Sequence, residues 1–496
     1  MRTLRPSGHA FTPRVLVRSQ TAKEGLTIPN RKMQMRVEQK AAKTTKKTGS
    51  FDSALGFFSL LLILLPAAFG VLYVHTFGVS VVDSDAWSVV PLFDKWFSGT
   101  LQVSDLWSQH NAHRPFFPNI AYIFLGVLTE YNNVAEMYLI QACLFVTLLV
   151  LLLAFIDNIR FRPSWLFLFV PVALLIFSLR QYKNMLNGYQ INFTFTEMFG
   201  ILALFLLYLL ARRRSFRKVA FAAALASATV ASYSVLAGLM VWPAGLLQLF
   251  LSPSVRLQKR VYTILWGLSG ILVWVVYFIG WDAPGKGTLL HALRHPLRGM
   301  HYYVNLLGSS LFWKPNSALL GGLLLICLAL VSLLLIYKYG RLREYRFWIS
   351  LLLYSLLILG TIMVGNSELG VNQAVTAKRY TTFPILAVVA VYVMLAKTAL
   401  ERRSIPNAAL LVALSGLILL STSVSYREGI KKGREERAHN EEQAYVLYTY
   451  ESQTDDALSE LMRRTDVVRQ QAPTLQRLGY NVFSGESQVP KAQPDP

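Results

Sequence analysis

Cysteine is nearly absent from this chain. Its 496 residues include two, Cys143 and Cys327, and both lie inside apolar runs, which excludes a disulfide framework and a CxxC metal knuckle. They read as small apolar residues within helices. Charge is scarce as well. Only 15% of residues are charged, against about a quarter in an ordinary soluble domain. Acidic residues are the scarcest, with 27 Asp and Glu against 49 Lys and Arg. There is no HExxH zinc signature and no clear internal repeat. The first fifty residues also lack the apolar core of a secretory leader.

What is abundant is apolar sequence, at 54% hydrophobic residues and a mean hydropathy of +0.40. Repeated apolar runs of about 20 residues are long enough to cross a bilayer as helices. The spacing predicts an all-α polytopic membrane protein with about eleven spans: 54–76, 134–156, 164–179, 193–211, 219–236, 237–251, 261–281, 317–338, 347–364, 379–398 and 407–424. Residues 1–50 hold twelve Lys and Arg against Glu24 and Glu38. They read as a disordered basic cytoplasmic tail able to meet anionic headgroups, or as an over-extended start, since Met33 or Met35 would open a short basic leader.

The apolar stretch 115–131 must be placed inside or outside the span count, and loop charge decides it. If it does not cross, "RFRP" (160–163), "RRRSFRK" (212–218), "RLQKR" (256–260), "YGRLREYR" (339–346) and "ERR" (401–403) all fall on the N-terminal side, as the positive-inside rule prefers. The net charge of +22 is thereby explained by short loops and the N-terminal tail, and nucleic acid is not an expected partner. Residues 115–131 then lie at the outer interface or re-enter it, with Pro115 and Pro118 at the start of a helix. This orientation places the N-terminus in the cytoplasm and the C-terminus outside the inner (plasma) membrane. The module 51–424 is followed by an outer helical tail, 425–496, whose apolar residues Leu458, Leu461, Met462, Val467 and Val468 recur at helical spacing.

Most polar residues that could carry chemistry share the outer side. Loop 77–133 opens with Asp83 and Asp85, a pair at the water–lipid boundary where partial desolvation tunes a carboxylate for general-base work or metal ligation. The aromatics Trp87, Phe93, Trp96, Phe97 and Trp107 offer faces for sugars or lipid chains. "HNAHR" sets His110 and His113 three residues apart, on one face if the segment is helical, beside Arg114. Zinc would want a third ligand and an activating Glu, so phosphate is the better fit for these three residues. Asn187 and Gln190 are natural partners of sugar hydroxyls. The later loops add His291, Arg294, His295, Arg298 and His301, then Lys378, Arg379 and Tyr380. Positive charge on that face points to an anionic ligand.

The layout resembles the multispan glycosyltransferases of the GT-C superfamily. The likeness rests on "DSD" in the first outer loop, on "HRPFFPNIAYIFLGVL" before span two, and on basic residues as the principal outer charges. "HNAHR", "GNSELGVNQAVTAKRYTTF" and "LGYNVF" are also similar to segments of bacterial membrane proteins of this general type. The resemblance covers about 50–483 and rests on short motifs. It implies transfer of a sugar from a polyprenyl-phosphate carrier to a lipid, glycan or protein acceptor at the outer face. It further implies that Asp83 or Asp85 acts as base or assists a divalent cation (Mg or Mn), with Arg114, His113 and Arg379 as phosphate contacts. Rival readings are a transporter or flippase of lipid-linked glycans, which needs ionisable groups within spans such as Glu197, and a surface-polysaccharide polymerase or ligase.

Overall fold

The computed structural model describes residues 31–159, 162–212, 215–253, 255–283, 289–402 and 405–485. Two units are distinguished, Met1–Ala54 and Leu55–Pro496. The described part of the first is helical from Arg31. The helix therefore begins well inside the expected disordered tail, in a stretch rich in the good helix formers Arg, Lys, Met, Gln and Ala. The rest of that expectation, residues 1–30, lies outside the described residues. Among its described residues the second unit is built of helices and 3-10 turns, without a β-strand.

Among the described residues, nine helical segments are long and apolar enough to cross a membrane: Asp52–Phe77, Asn133–Asn158, Pro163–Met185, Gly188–Leu209, Arg256–Phe278, Pro315–Lys338, Arg346–Leu369, Lys378–Arg402 and Ile405–Tyr448. The expected eleven included 219–236 and 237–251. The structure gives these as Arg217–Ser232, 16 residues, and the shorter apolar stretch Leu236–Phe250. At 1.5 Å per residue the first is about 24 Å long, short of a hydrocarbon core of about 30 Å. Because the two are consecutive, counting both or neither leaves the two chain ends on the same relative sides. Phe116–Thr129 has 14 residues, about 21 Å, and is likewise too short to cross alone.

The segment Thr382–Arg402 sits at the centre of the bundle, with every side chain from Thr382 to Thr398 buried. Its Lys397 ammonium donates to the backbone carbonyl of Asn158 at 2.7 Å and to Asn158 Oδ1 at 2.6 Å. Arg212 pairs with Asp157 at 3.2 Å and Arg341 with Glu401 at 2.6 Å at the same end. Helix Pro296–Gly308 packs on Pro315–Lys338 through glycine. A Cβ on Gly308 would lie 1.8 Å from the Ala318 carbonyl oxygen, and one on Gly322 would lie 2.0 Å from that of Val304. Only small residues allow backbones this close.

At the opposite end the backbone is irregular. The segment Pro163–Met185 is a 3-10 turn, a short helix and two further turns rather than one rod. Its freed carbonyls find side-chain donors, as broken membrane helices require. Gln181 Nε2 donates to Ile176 O at 2.6 Å, and the Tyr426 hydroxyl to Phe177 O at 3.3 Å. Buried Arg180 donates to the carbonyls of Ser309 and Phe312.

The last span does not stop at 424. Helix Ile405–Tyr448 runs for 44 residues, because nothing in 425–448 breaks it and charged pairs such as Arg437–Glu441, 2.7 Å apart, support its surface. Helices Asp455–Leu461 and Thr465–Leu478 then fold back, with Leu458, Leu461 and Val468 fully buried. The segment ends as a clamp. Asn481 Nδ2 reaches Ser80 Oγ (3.0 Å), Tyr131 O (2.9 Å) and Asn133 Oδ1 (2.8 Å), and Tyr480 packs edge-on against Phe93 and Phe97.

Candidate functional site

The chain leaves the first long helix at Phe77 and enters a 3-10 turn at Ser84–Val89, whose N-cap is Asp83. The turn separates the two carboxylates. Asp83 Oδ1 accepts from Asn187 Nδ2 at 3.2 Å. Burial raises its pKa above the ordinary carboxylate range, against the lowering pull of Lys183. Asp85 points to a different group. Its Oδ1 lies 3.2 Å from His110 Nε2, and its side chain remains 46% exposed. That His110 nitrogen has no hydrogen bond among the described residues, so the contact is a close polar approach. The His110 imidazole holds the Asp85 carboxyl below its usual range, with Arg379 and His113 adding to the effect.

Histidines 110 and 113 do converge, though not on a helix. They form a two-residue antiparallel bridge, each backbone N–H donating to the other's carbonyl at 2.9 Å. The turn between them is possible because Asn111 adopts φ +51°, a left-handed conformation that Asn tolerates better than most residues. The expected helical face is thereby replaced by a tight hairpin.

His113 is held in one tautomer. Its Nδ1 accepts from the Leu236 backbone N–H at 3.3 Å, leaving Nε2 as the protonated nitrogen. Burial and the neighbouring His110 push its pKa down to about 4. The imidazole is therefore neutral at neutral pH.

Arg114 is placed elsewhere. Its guanidinium donates to the carbonyls of Tyr277 (2.8 Å), Ile279 (2.7 Å) and Trp107 (3.1 Å), and it lies over the Trp107 ring. The side chain is buried. It staples the loop to the end of helix Arg256–Phe278, so its expected phosphate role gives way to a structural one.

Arg379, which does join the cluster, precedes the central helix and reaches the Tyr380 hydroxyl at 3.4 Å. Asp85, His113 and Tyr302 all lie within its electrostatic reach. Tyr380 continues the wall, donating to Asn366 Oδ1 at 3.3 Å and packing on Phe193, which also meets the His113 ring. Lys378 turns away, over Trp313.

The two amides have different duties. Asn187 Oδ1 caps the turn Gly188–Gln190 by accepting from Tyr189 N at 3.0 Å, and its amide nitrogen serves Asp83, so it is structural. Gln190 Oε1 finds no partner among the described residues. Of the loop aromatics, Trp87 and Phe93 are core residues, whereas Trp96 and Phe97 stay about half exposed.

Sequence reasoning missed Tyr189 and Tyr302. Tyr189 stacks on Tyr122, meets His110 edge-on and approaches Ser88 Oγ. Tyr302 binds Gln373 through its hydroxyl. Tyrosines near span ends are common in membrane proteins, so only their three-dimensional convergence marks these two.

Five elements thus bring one ionised carboxylate, a neutral imidazole donor, an arginine and tyrosine hydroxyls to one end of the bundle. No group of three or more His, Cys, Asp or Glu that could hold a metal occurs among the described residues. Asp85 and His110 supply two donors only, and Arg379 already places positive charge there. The residues present therefore fit a divalent cation poorly.

No protein-family model matches the chain, and no solved structure matches it. An uncharacterized protein of Archaeoglobus fulgidus is 25% identical over 219 residues, covering 41% of this chain and 55% of that protein. The chain thus spans about half the length of the relative it matches.

Proposed function

We propose that the chain is a membrane glycosyltransferase that moves a sugar from a polyprenyl-phosphate carrier to an acceptor hydroxyl at the outer face of the inner membrane. The single observation that carries this reading is the half-exposed Asp85 carboxylate, held ionised 3.2 Å from His110 within the field of Arg379. A lipid-linked donor cannot leave the bilayer, so its headgroup must be met at the depth where a span ends. Asp85 and Arg379 both sit where the chain enters or leaves a long apolar helix.

In this reading the acceptor oxygen attacks the anomeric carbon and passes its proton to Asp85. The bond from that carbon to the carrier phosphate breaks, and charge grows on the leaving phosphate. Arg379 and the Nε2–H of His113 are the groups able to receive it, as fixed donors aimed at developing charge. Asp85, rather than Asp83, is assigned as base because Asp83 is turned toward Asn187.

The test is turnover by the purified protein of a panel of polyprenyl-phosphate sugars. A positioned general base contributes roughly 10²–10⁴-fold. Asp85→Asn is expected to lose at least about a hundredfold in kcat, while Asp83→Asn stays within about tenfold of wild type. Equal turnover by wild type and Asp85→Asn would refute the assignment.

A second reading, translocation of a lipid-linked glycan, draws on Glu197. This carboxylate is fully buried in helix Ile191–Leu209, and its Oε2 has no partner among the described residues. Headgroup movement across proteoliposomes that Glu197→Gln abolishes, without sugar transfer by wild type, would favour it.

A further inference from the structure

The basic run around His291 to His301, which the proposed reaction does not use, is built as two short helices. Leu289–Arg294 and Pro296–Gly308 meet at His295. One side of the pair is packed. Gly299 and Tyr302 are buried, and a Cβ on Gly299 would lie 3.3 Å from the Met363 sulfur. The other side is open. Leu289, Leu293, Leu297 and Met300 are 62, 68, 85 and 55% exposed. Four large apolar side chains this bare, within twelve residues, mark an interaction surface rather than scattered exposure.

Two further observations say what covers it. The first is position. Arg298 Nη2 donates to the Glu368 carbonyl at 2.6 Å, in the turn where the apolar segment Arg346–Leu369 ends. The open side therefore stands at the end of a bilayer-length helix. The second is charge. Arg294, His295, Arg298 and His301 are all exposed beside the apolar groups. The carboxylate at hand, that of Glu368, lies 3.2 Å from His291 Nδ1. Among the described residues no carboxylate pairs with Arg294 or Arg298. Hydrocarbon alone would accept the leucines and strand the guanidinium groups. An acidic soluble partner would match the arginines and leave the leucines without an apolar counterpart. A leaflet of anionic phospholipid satisfies both, with chains for Leu and Met and phosphates that guanidinium groups grip bidentately.

We propose that Leu289–Arg294 and the first turns of Pro296–Gly308 form an interfacial surface that inserts Leu293, Leu297 and Met300 among lipid chains and selects anionic phospholipid through Arg294 and Arg298. The surface is read by lipid contact alone and stands independently of the glycosyl-transfer reading.

Fluorescence quenching of the full chain in phosphatidylcholine nanodiscs tests it. Leu297→Cys, on a Cys143→Ala and Cys327→Ala background, carries a fluorophore; a label at Asp456→Cys, exposed on the C-terminal segment, is the reference. Lipid brominated in its acyl chains should quench the label at 297 and leave that at 456 bright. Half-maximal quenching at 297 should need at least about fivefold less brominated phosphatidylglycerol than brominated phosphatidylcholine, the gain expected from one basic residue near an anionic surface. Arg294→Gln together with Arg298→Gln should remove that difference while quenching by brominated phosphatidylcholine persists, which separates lost selection from misfolding. Quenching at 297 no stronger than at 456 would overturn the proposal and point to a protein partner or a second copy on this face. Equal quenching by the two lipids in the otherwise wild-type chain, or an undiminished preference in the double glutamine variant, would overturn it as well.

Discussion

Replacing Asn481 tests whether the C-terminal segment is clamped to the loops around the candidate site as the structure shows. Its two amide hydrogens are shared among Ser80 Oγ, Tyr131 O and Asn133 Oδ1, at 3.0, 2.9 and 2.8 Å, and the residue is 2% exposed. Losing two hydrogen bonds' worth of contact costs about 2 kcal/mol at a net of about 1 kcal/mol each. The backbone adds a second term, since Asn481 sits at φ +57°. Alanine in that left-handed region costs about 1 kcal/mol more, whereas glycine does not bear this cost.

The expected losses are therefore about 3 kcal/mol for Asn481→Ala and about 2 kcal/mol for Asn481→Gly. The bond from Asn481 N to Glu130 O at 2.7 Å survives in both. The loss is local, so hydrogen–deuterium exchange over residues 478–483 and 130–133 is the assay. Protection should fall about a hundredfold in the alanine variant and about thirtyfold in the glycine variant. Exchange in Asn481→Ala within about threefold of wild type would refute the clamp. A glycine variant less protected than the alanine one would refute the backbone term.

Other consequences can be read separately. His113 has a folded pKa lowered from 6.5 to about 4, so between those values the unfolded chain binds the extra proton. Its contribution favours folding above pH 6.5 and is lost as pH falls toward 4. Denaturant titrations of wild type and His113→Gln should converge on acidification; parallel curves across that window would count against it. Gly322→Leu must push Pro315–Lys338 off Pro296–Gly308, given the 2.0 Å approach to Val304 O. A loss of more than about 3 kcal/mol is expected in thermal unfolding, and an unchanged Tm would contradict this packing. Arg114→Lys cannot reproduce three carbonyl contacts from one planar fork. It should destabilise by about 2 kcal/mol in denaturant titration, and wild-type stability would disprove the staple.

The helical, membrane-spanning character of the chain was legible in its sequence, because a bilayer-length apolar run is a local property that needs no partner. Long segments such as Asn133–Asn158 and Pro315–Lys338 were found nearly to the residue for that reason. The region 219–251 was read as two spans, and the structure gives two helical stretches there that are shorter than a bilayer-length helix, since hydropathy reports composition and not helix length. The extension of Ile405–Tyr448 beyond its apolar half escaped as well, because a polar helical surface carries no hydropathy signal.

The carboxylate pair, "HNAHR" and Arg379 were also visible as residues of the right kind at span edges. Their duties were not. Asp83 and Asp85 are two residues apart, yet one turn of 3-10 helix sends them to different neighbours. Arg114 and His113 are adjacent, yet one is consumed by backbone carbonyls and the other is made neutral by burial and by the Leu236 N–H. The sequence alone thus determined which groups are present and that they lie near the ends of long apolar runs, since both follow from local chemistry. Only the tertiary structure decided which group faces which, because burial, tautomer and pairing depend on atoms distant in the chain, more than a hundred residues away for the His113–Leu236, Asp83–Asn187 and Arg114–Tyr277 contacts.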